Sequence, residues 1–181
     1  AMAQWFAQDI DSSFASLDTA LDLNPNDTEI MAELGLRLSL RSDWDRGIAL
    51  LNDAYHRNPA LPGTYRIGYA LWHFAQGRPT EAYHEALRVN APRVIYPHVV
   101  AAVAAHAMGD RPAAEAAMRS VLAIDPGYLD AAEADLLKRN LAPDLVALIT
   151  TALHAAAPKA PLRRSTGDTP GVLAQSKARL R

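Results

Sequence analysis

The sequence predicts an all-α fold, a solenoid of about three full helical hairpins with partial units at both ends. The first observation is a set of prolines that follow apolar helical stretches at intervals of 34, 33 and 34 residues, namely Pro25, Pro59, Pro92 and Pro126. The second is that the chain between successive prolines carries two helical patterns separated by a short polar turn. Because proline cannot continue a helix, each repeat is expected to hold one hairpin that ends at its proline.

The first elements follow this plan. Residues 9–23 are predicted as the second helix of a truncated leading unit, and the first complete hairpin comes next. Its small residues Gly35 and Gly47 are expected to let the two helices approach closely. The space between them is expected to be filled by Met31, Leu34, Leu38 and Leu51.

The later elements are less regular. The second unit fits the pattern only if one residue is inserted early and one is lost later. The alignment of this unit with the others therefore stays open by one residue. The third unit repeats the plan with alanines in place of larger residues. Residues 128–139 and 142–156 are predicted as a degenerate last pair that covers the open end of the stack, because terminal units of a solenoid deviate in this way.

The spacing and residues of the first unit resemble the tetratricopeptide repeat (TPR). The unit reads Met31-x-x-Leu34-Gly35-x-x-Leu38, then Gly47-x-x-x-Leu51, then Ala54 and Pro59. Two antiparallel helices in about 34 residues are typical of that repeat. The resemblance covers roughly residues 9–157 and implies a right-handed superhelix.

A closer similarity concerns one class of TPR region. The runs that carry it are Pro62-Gly63-x-Tyr65, Gln76-Gly77-Arg78, Glu85 to Asn90, and Pro143-Asp144-Leu145. They are similar to repeat regions that follow class III adenylate or guanylate cyclase domains, or winged-helix domains, in bacterial regulators. The similarity implies the regulatory C-terminal part of a bacterial signalling protein. It does not imply cyclase activity, because no segment here is long enough for that domain.

Composition and charge exclude several function classes. Eighteen Lys and Arg residues against 20 Asp and Glu residues give a net charge of −2. Since nucleic-acid binding depends mainly on Lys and Arg, we expect no nucleic-acid partner. The absence of cysteine excludes disulfides and thiolate chemistry. No uncharged apolar stretch is long enough to cross a bilayer, so we expect no membrane span and a cytoplasmic location.

The two ends of the chain are predicted to lie outside the repeats. Residues 1–8, which begin Ala1-Met2 like a cloning scar, are interpreted as an irregular start. Residues 158–181 form a basic tail with a net charge of +5, so residues 1–157 carry −7. Two interpretations of the tail stay open: a solvated linker, or a segment that docks in an acidic groove of its own chain or of a neighbour.

The function predicted from the fold is protein–protein interaction. The first helix of each hairpin is expected to line a concave groove, and a largely apolar lining suits an amphipathic helix or an extended peptide of a partner. The alternatives are a homo-oligomerisation scaffold, which uses the outer face or the tail, and a small-molecule sensor. The predicted groove residues are Glu29, Glu33, Leu36, Leu40, Arg66, Ile67, Ala70, His73, Phe74, Tyr96, Val99, Val103 and His106.

Catalytic and metal chemistry are not expected. Acidic residues such as Asp43 and Asp110 match helix caps, and the serines lack a nucleophile turn. None of the six histidines has the i,i+3 or i,i+4 partner of a helix-borne metal pair. His73 and His106 lie one repeat apart, which leaves two interpretations: groove-lining polar residues, or a metal or pH-sensing pair. The prediction is a chain without enzymatic activity, cofactor or metal.

Overall fold

The computed structural model of the chain describes residues 1–157, and within that range the protein is all-helical, with no strand. Helix follows helix through short turns, and one 3-10 helix, η1, precedes α5. The elements are α1 Met2–Phe6, α2 Ile10–Leu23, α3 Thr28–Leu40, α4 Trp44–Arg57, η1 Gly63–Arg66, α5 Ile67–Ala75, α6 Pro79–Arg88, α7 Ile95–Ala107, α8 Arg111–Ile124, α9 Tyr128–Lys138 and α10 Pro143–Ala156.

The predicted all-α class is confirmed for these residues, with one correction at the start of the chain. Residues 1–8 were expected to be irregular, but Met2–Phe6 form helix α1 and the side chain of Trp5 is only 4% exposed. Burying an indole removes a large apolar area from water, which is enough to fix a helix too short to be stable alone. Among residues 1–157, no helix has the length and apolar character needed to cross a bilayer.

The helices pack as neighbouring pairs and as a row. Consecutive helices contact each other in the pairs α3–α4, α5–α6 and α7–α8. In addition, α3 contacts α5 and α5 contacts α7, while α10 folds back onto α7. The largest apolar cluster extends from α5 to α10 and includes the fully buried Val103, Met118 and Leu153.

The close approach of α3 and α4 is confirmed at the two glycines. A Cβ atom on Gly35 would lie 2.9 Å from the carbonyl oxygen of Gly47, and one on Gly47 would lie 2.6 Å from Ser39 Oγ. Neither distance is compatible with a side chain. The Ser39 hydroxyl donates a 2.8 Å hydrogen bond to the Gly35 carbonyl, so the polar atom in this tight contact is satisfied.

The irregular second unit has a local cause. Its first helix starts as the 3-10 turn η1 before α5 begins at Ile67. A 3-10 helix rises about 2.0 Å per residue against about 1.5 Å in an α-helix, which shifts the side-chain register relative to the other units. The turn starts at a glycine because the backbone of Gly63 lies against the C-terminal end of α6, where a Cβ would be 2.6 Å from the carbonyl oxygen of Val89.

Aspartates begin several helices, as expected. The Asp110 carboxylate accepts a 3.0 Å hydrogen bond from the Ala113 amide at the start of α8. Asp43 occupies the cap position of α4, but its carboxylate makes no capping hydrogen bond and pairs instead with Arg46 at 3.3 Å.

Candidate binding cavity

A cavity of about 220 Å³ lies where α1, α3, α5, α7 and the α9–α10 region meet. Its walls are almost entirely apolar. Six residues predicted for the groove line it: Glu33, Leu36, Leu40, Ile67, Tyr96 and Val99. They come from three different helices, which the structure brings together around this one cavity. The remaining wall residues are Met2, Trp5, Phe6, Arg37, Leu71, Val100, Leu136, Arg139, Leu141 and Ile149.

The other seven predicted groove residues lie elsewhere. Ala70, Phe74 and Val103 are buried in the main core, because a register error of one residue turns a helix face by about 100°. Glu29 and His106 are exposed. Arg66, by contrast, pairs with a carboxylate of α6, as described next, and His73 lies beside Trp72 on α5.

Arg66 belongs to a polar cluster between α5 and the neighbouring helices rather than to the cavity. Its guanidinium lies 2.6 Å from Glu85 Oε2 and 4.8 Å from the centre of the Tyr55 ring. Arg88 also pairs with Glu85, at 2.9 Å. With its charge matched inside the protein, Arg66 has a structural role here.

Helix α1 covers the cavity, which the sequence did not predict. Trp5 is buried and packs edge-on against Phe14 with 6.1 Å between ring centroids. Phe6 and Met2 also line the cavity, yet they are 53% and 60% exposed. Since these are its most exposed wall residues, the mouth of the cavity lies beside α1.

Arg37 holds α1 in place. Its side chain is 3% exposed and sits 5.0 Å from the centre of the Trp5 ring. Its guanidinium donates to Glu33 Oε1 at 2.6 and 2.9 Å, to the Ala1 carbonyl at 3.2 Å and to the Ser13 hydroxyl. The sequence signal was a Glu33–Arg37 pair at i,i+4 spacing on a helix that is otherwise rich in apolar residues.

The loop between α9 and α10 also lines the cavity and is bonded to α1 and to the end of α3. The Asn140 amide donates a 2.7 Å hydrogen bond to the Trp5 carbonyl. The Ala142 amide donates a 2.8 Å bond to the Leu40 carbonyl, and Gln8 donates a 2.9 Å bond to the Lys138 carbonyl. Asn140 is buried with a φ of +63°, a conformation that asparagine tolerates better than most residues. Together these bonds join the segment before α10 to the start of the chain and to α3.

Two tyrosines and an arginine surround Asp135 at the edge of the cavity. Asp135 Oδ2 accepts from the hydroxyls of Tyr96 and Tyr128 at 3.0 and 3.2 Å. Burial, followed by the negative charge of Asp135, raises the pKa of Tyr96 to about 12 and raises that of Tyr128 further. Arg139 lies 3.8 Å from Asp135 Oδ1 and covers the Tyr96 and Phe6 rings. The tyrosines are therefore neutral hydrogen-bond donors near neutral pH.

The two histidines one repeat apart do not form a common site. The His73 ring is tilted by 43° against the Trp72 ring, with 4.7 Å between their centroids. Burial, with a smaller contribution from Arg78, lowers the pKa of His73. His106 lies in a separate surface cleft beside Arg111, Glu115 and the end of α10. Residues 1–157 contain no cluster of three potential metal ligands.

No protein-family model matches the sequence, and a search of curated proteins finds no significantly similar one. The walls of the cavity offer apolar contact and a few polar groups that are already paired within the protein. Such walls suit the binding of an apolar group. The predicted docking of the basic tail concerns residues 158–181, which lie outside the described residues.

Proposed function

We propose that the chain is a protein–protein interaction module that captures an apolar helical segment of a partner protein in the groove walled by α3, α5 and α7. In this proposal it is a cytoplasmic, regulatory part of a bacterial signalling protein and has no enzymatic activity of its own. The observation that carries the proposal is helix α1, which lies on this surface and buries Trp5 there.

The proposal includes the arrangement of the helices, which we take to be a right-handed superhelix of TPR hairpins. The proline spacing and the glycines of the first unit support it, and so does the row formed by α3, α5 and α7. In stacked repeats of this kind, the first helices form one wall that a ligand can follow. The similarity to repeat regions of bacterial regulators supports the signalling role.

Helix α1 indicates what a partner segment looks like. It places one aromatic side chain in the groove and a second at the rim, Trp5 and Phe6. The carbonyl of Ala1, just before the helix, accepts a hydrogen bond from Arg37, and the carbonyl of Trp5 within it accepts one from Asn140. A partner helix with an aromatic anchor would use the same two donors, as in other helix-in-groove complexes.

The test is a peptide-binding experiment with the full chain. A fluorescein-labelled peptide of residues 1–9 is titrated against the variant Trp5→Ala/Phe6→Ala and against the unsubstituted chain, with fluorescence anisotropy as the readout. We expect the variant to bind the peptide and the unsubstituted chain to bind it more weakly. The reason is that a tethered segment competes at an effective concentration in the millimolar range.

Two further substitutions locate the binding surface. Leu36→Glu, added to the Trp5→Ala/Phe6→Ala variant, places a charge on the apolar wall of the cavity and is expected to abolish peptide binding. Leu87→Glu is the matched control, because Leu87 is an exposed leucine of α6 outside the cavity. Circular dichroism verifies that each variant is folded. If the folded Trp5→Ala/Phe6→Ala variant fails to bind the peptide, or if Leu36→Glu leaves binding unchanged, the proposed function is wrong.

Homo-oligomerisation is a second candidate, and α1 is the observation that favours it. Each copy of the chain carries both the groove and a segment that fits it, so α1 can enter the groove of a neighbour, as in domain swapping. Light scattering of the unsubstituted chain at micromolar concentration separates the two roles. A stable oligomer that dissociates in Trp5→Ala/Phe6→Ala supports the scaffold, and a monomer supports partner capture.

A further inference from the structure

The cavity is not filled by α1. A space of about 220 Å³ remains between the helix and the inner wall. An engineered apolar cavity of about 150 Å³ in another protein stays dry and binds benzene. The space here is larger by the volume of several atoms, so it accommodates a fused two-ring molecule of about nine or ten non-hydrogen atoms.

The chemistry of the walls restricts the ligand to an apolar one. The lining includes the buried aliphatic side chains of Leu71, Val100 and Ile149, together with the aromatic residues Trp5 and Tyr96. Such walls offer dispersion contacts to a flat or compact hydrocarbon surface and give ordered water few hydrogen-bond partners. A ligand that fills the space gains contacts that neither water nor α1 provides.

The charged residues at the walls indicate that the ligand is also uncharged. The charged side chains among the wall residues that the structure describes are Glu33, Arg37 and Arg139. Glu33 and Arg37 are paired with each other at 2.6 Å, and Arg139 lies 3.8 Å from Asp135. A charged ligand would lose its hydration and would have to compete with these existing partners for a counter-ion, which is costly in an apolar site.

From this geometry we propose that the cavity is a binding site for a compact, uncharged, apolar molecule of about the size of a fused two-ring system. The ligand enters beside Phe6 and Met2 and packs beneath the indole of Trp5, where it holds α1 on the groove. This assignment goes beyond partner capture, because it gives a small molecule the space that the helix leaves empty.

The probe for the test is indole, and the charged comparator of similar shape is indole-3-carboxylate. Each is titrated into the full chain and followed by methyl NMR spectroscopy and calorimetry. We expect indole to bind with a dissociation constant on the order of 0.1–1 mM, as its size allows. Methyl shifts are expected at Leu36, Val99 and Ile149. Indole-3-carboxylate is expected to bind at least about tenfold more weakly.

Variants that fill the cavity test the location. Leu36→Trp places an indole ring in the space and is expected to weaken indole binding by about tenfold or more, with the melting temperature kept or raised. Leu87→Trp, on the exposed face of α6, is the control and is expected to bind indole as the unsubstituted chain does. Val99→Phe is the second filling variant if the first does not fold.

Several outcomes would overturn the inference. They are the absence of indole binding at about 5 mM, about fivefold above the upper limit of the expected range, equal binding of the charged comparator, and unchanged binding in a folded filling variant. Because the peptide experiment above is measured separately, loss of the indole site with intact peptide capture would leave the proposed function standing.

Discussion

The side chain of Asn140 and the main chain of Trp5 are joined by a 2.7 Å hydrogen bond across 135 positions of sequence. This bond connects the loop before α10 with the helix that covers the cavity. The Arg41 guanidinium lies 3.3 Å from the Asn140 carbonyl, so α3 takes part in the same junction. Helix α1, which covers the cavity, is thus held by Asn140 of the loop before α10 as well as by Arg37 of α3.

Two substitutions of Asn140 separate what its hydrogen bond and its backbone conformation each contribute to stability. Asn140→Gly keeps the positive φ but removes the hydrogen bond, and we expect it to lower the free energy of unfolding by about 1 kcal/mol. Asn140→Ala removes the same hydrogen bond and also places at positive φ a residue that tolerates the left-handed conformation less well than asparagine does. We therefore expect a loss of about 2–3 kcal/mol. Urea denaturation measures both. Equal losses in the two variants would show that the backbone conformation contributes nothing.

Arg37 is expected to be far more important for stability than an exposed arginine. Arg37→Met leaves the Glu33 carboxylate without its partner and removes one hydrogen bond each from the Ser13 hydroxyl and the Ala1 carbonyl, which should cost about 3 kcal/mol. Arg46→Met is the matched control, because the Arg46–Asp43 pair is exposed and should contribute less than about 1 kcal/mol. Thermal unfolding followed by circular dichroism gives both values. Similar small effects in the two variants would contradict the anchoring role of Arg37.

The contact between α3 and α4 should not tolerate a methyl group. Gly47→Ala brings a Cβ to 2.6 Å from Ser39 Oγ, and we expect a loss of about 1–3 kcal/mol from overpacking, even though alanine favours helix. The double variant Ser39→Ala/Gly47→Ala removes the clashing oxygen and should recover part of the loss. A double-mutant cycle from urea denaturation measures the coupling. Strict additivity would show that this contact does not limit the approach of the helices.

His73 should make stability depend on pH below neutrality. Burial lowers the pKa of His73 in the folded state from its ordinary value of 6.5, so folding favours the neutral ring. This contribution is complete above about pH 6.5 and is lost as the pH falls below that value. Arg78 opposes protonation, whereas Glu81 and Glu85 favour it and reduce the effect.

The measurement is the free energy of unfolding at several pH values. Between about pH 7.5 and pH 5.5 the unsubstituted chain should lose more stability than His73→Phe, which has no titrating ring. Between about pH 7.5 and pH 8.5 the two chains should change in parallel. Equal slopes over the acid range would rule out a role for His73.

Alkaline pH should act through the tyrosines around Asp135. The pKa of Tyr96 is raised to about 12, so its neutral form stabilises the fold below about pH 10, and this contribution is lost as the pH rises towards 12. Asp135→Asn removes the nearby negative charge and should lower the pKa of Tyr96. Tyrosine ring NMR signals, assigned with Tyr96→Phe, report the midpoint. Asp144→Asn, at an exposed position of α10, is the control, and an unchanged midpoint in Asp135→Asn would assign the shift to burial alone.

The sequence was sufficient for the helices that follow α1, and six of the predicted groove residues lie at the cavity wall. Regular prolines set the ends of the hairpins, and Gly35 and Gly47 marked the close contact, because these are local constraints. On α5 and α7 the residues that face the cavity were only partly identified. Helix α7 is buried by α5, α6, α8 and α10, so its residues are apolar on all sides and give no amphipathic pattern that orients the helix.

The position of helix α1 over the cavity could not be predicted from the sequence, for a different reason. Trp5, Arg37 and Asn140 interact through contacts between residues 24 to 135 positions apart, and no repeat pattern encodes such contacts. A lone tryptophan near the start of the chain and an arginine on an apolar helix have many possible partners. Only the packed arrangement selects among them.

The junction of Trp5 with Asn140 also has a consequence for how the molecule opens. In a stack whose units contact only their neighbours, amide protons exchange with solvent first at the two ends, where the helices fray independently. Here the first helix and the loop before the last one are tied to each other and to α3. Opening of α1 therefore requires the bonds to the loop before α10 to break as well, and we expect the amide protons of α1 to exchange more slowly than those of a terminal helix without such bonds.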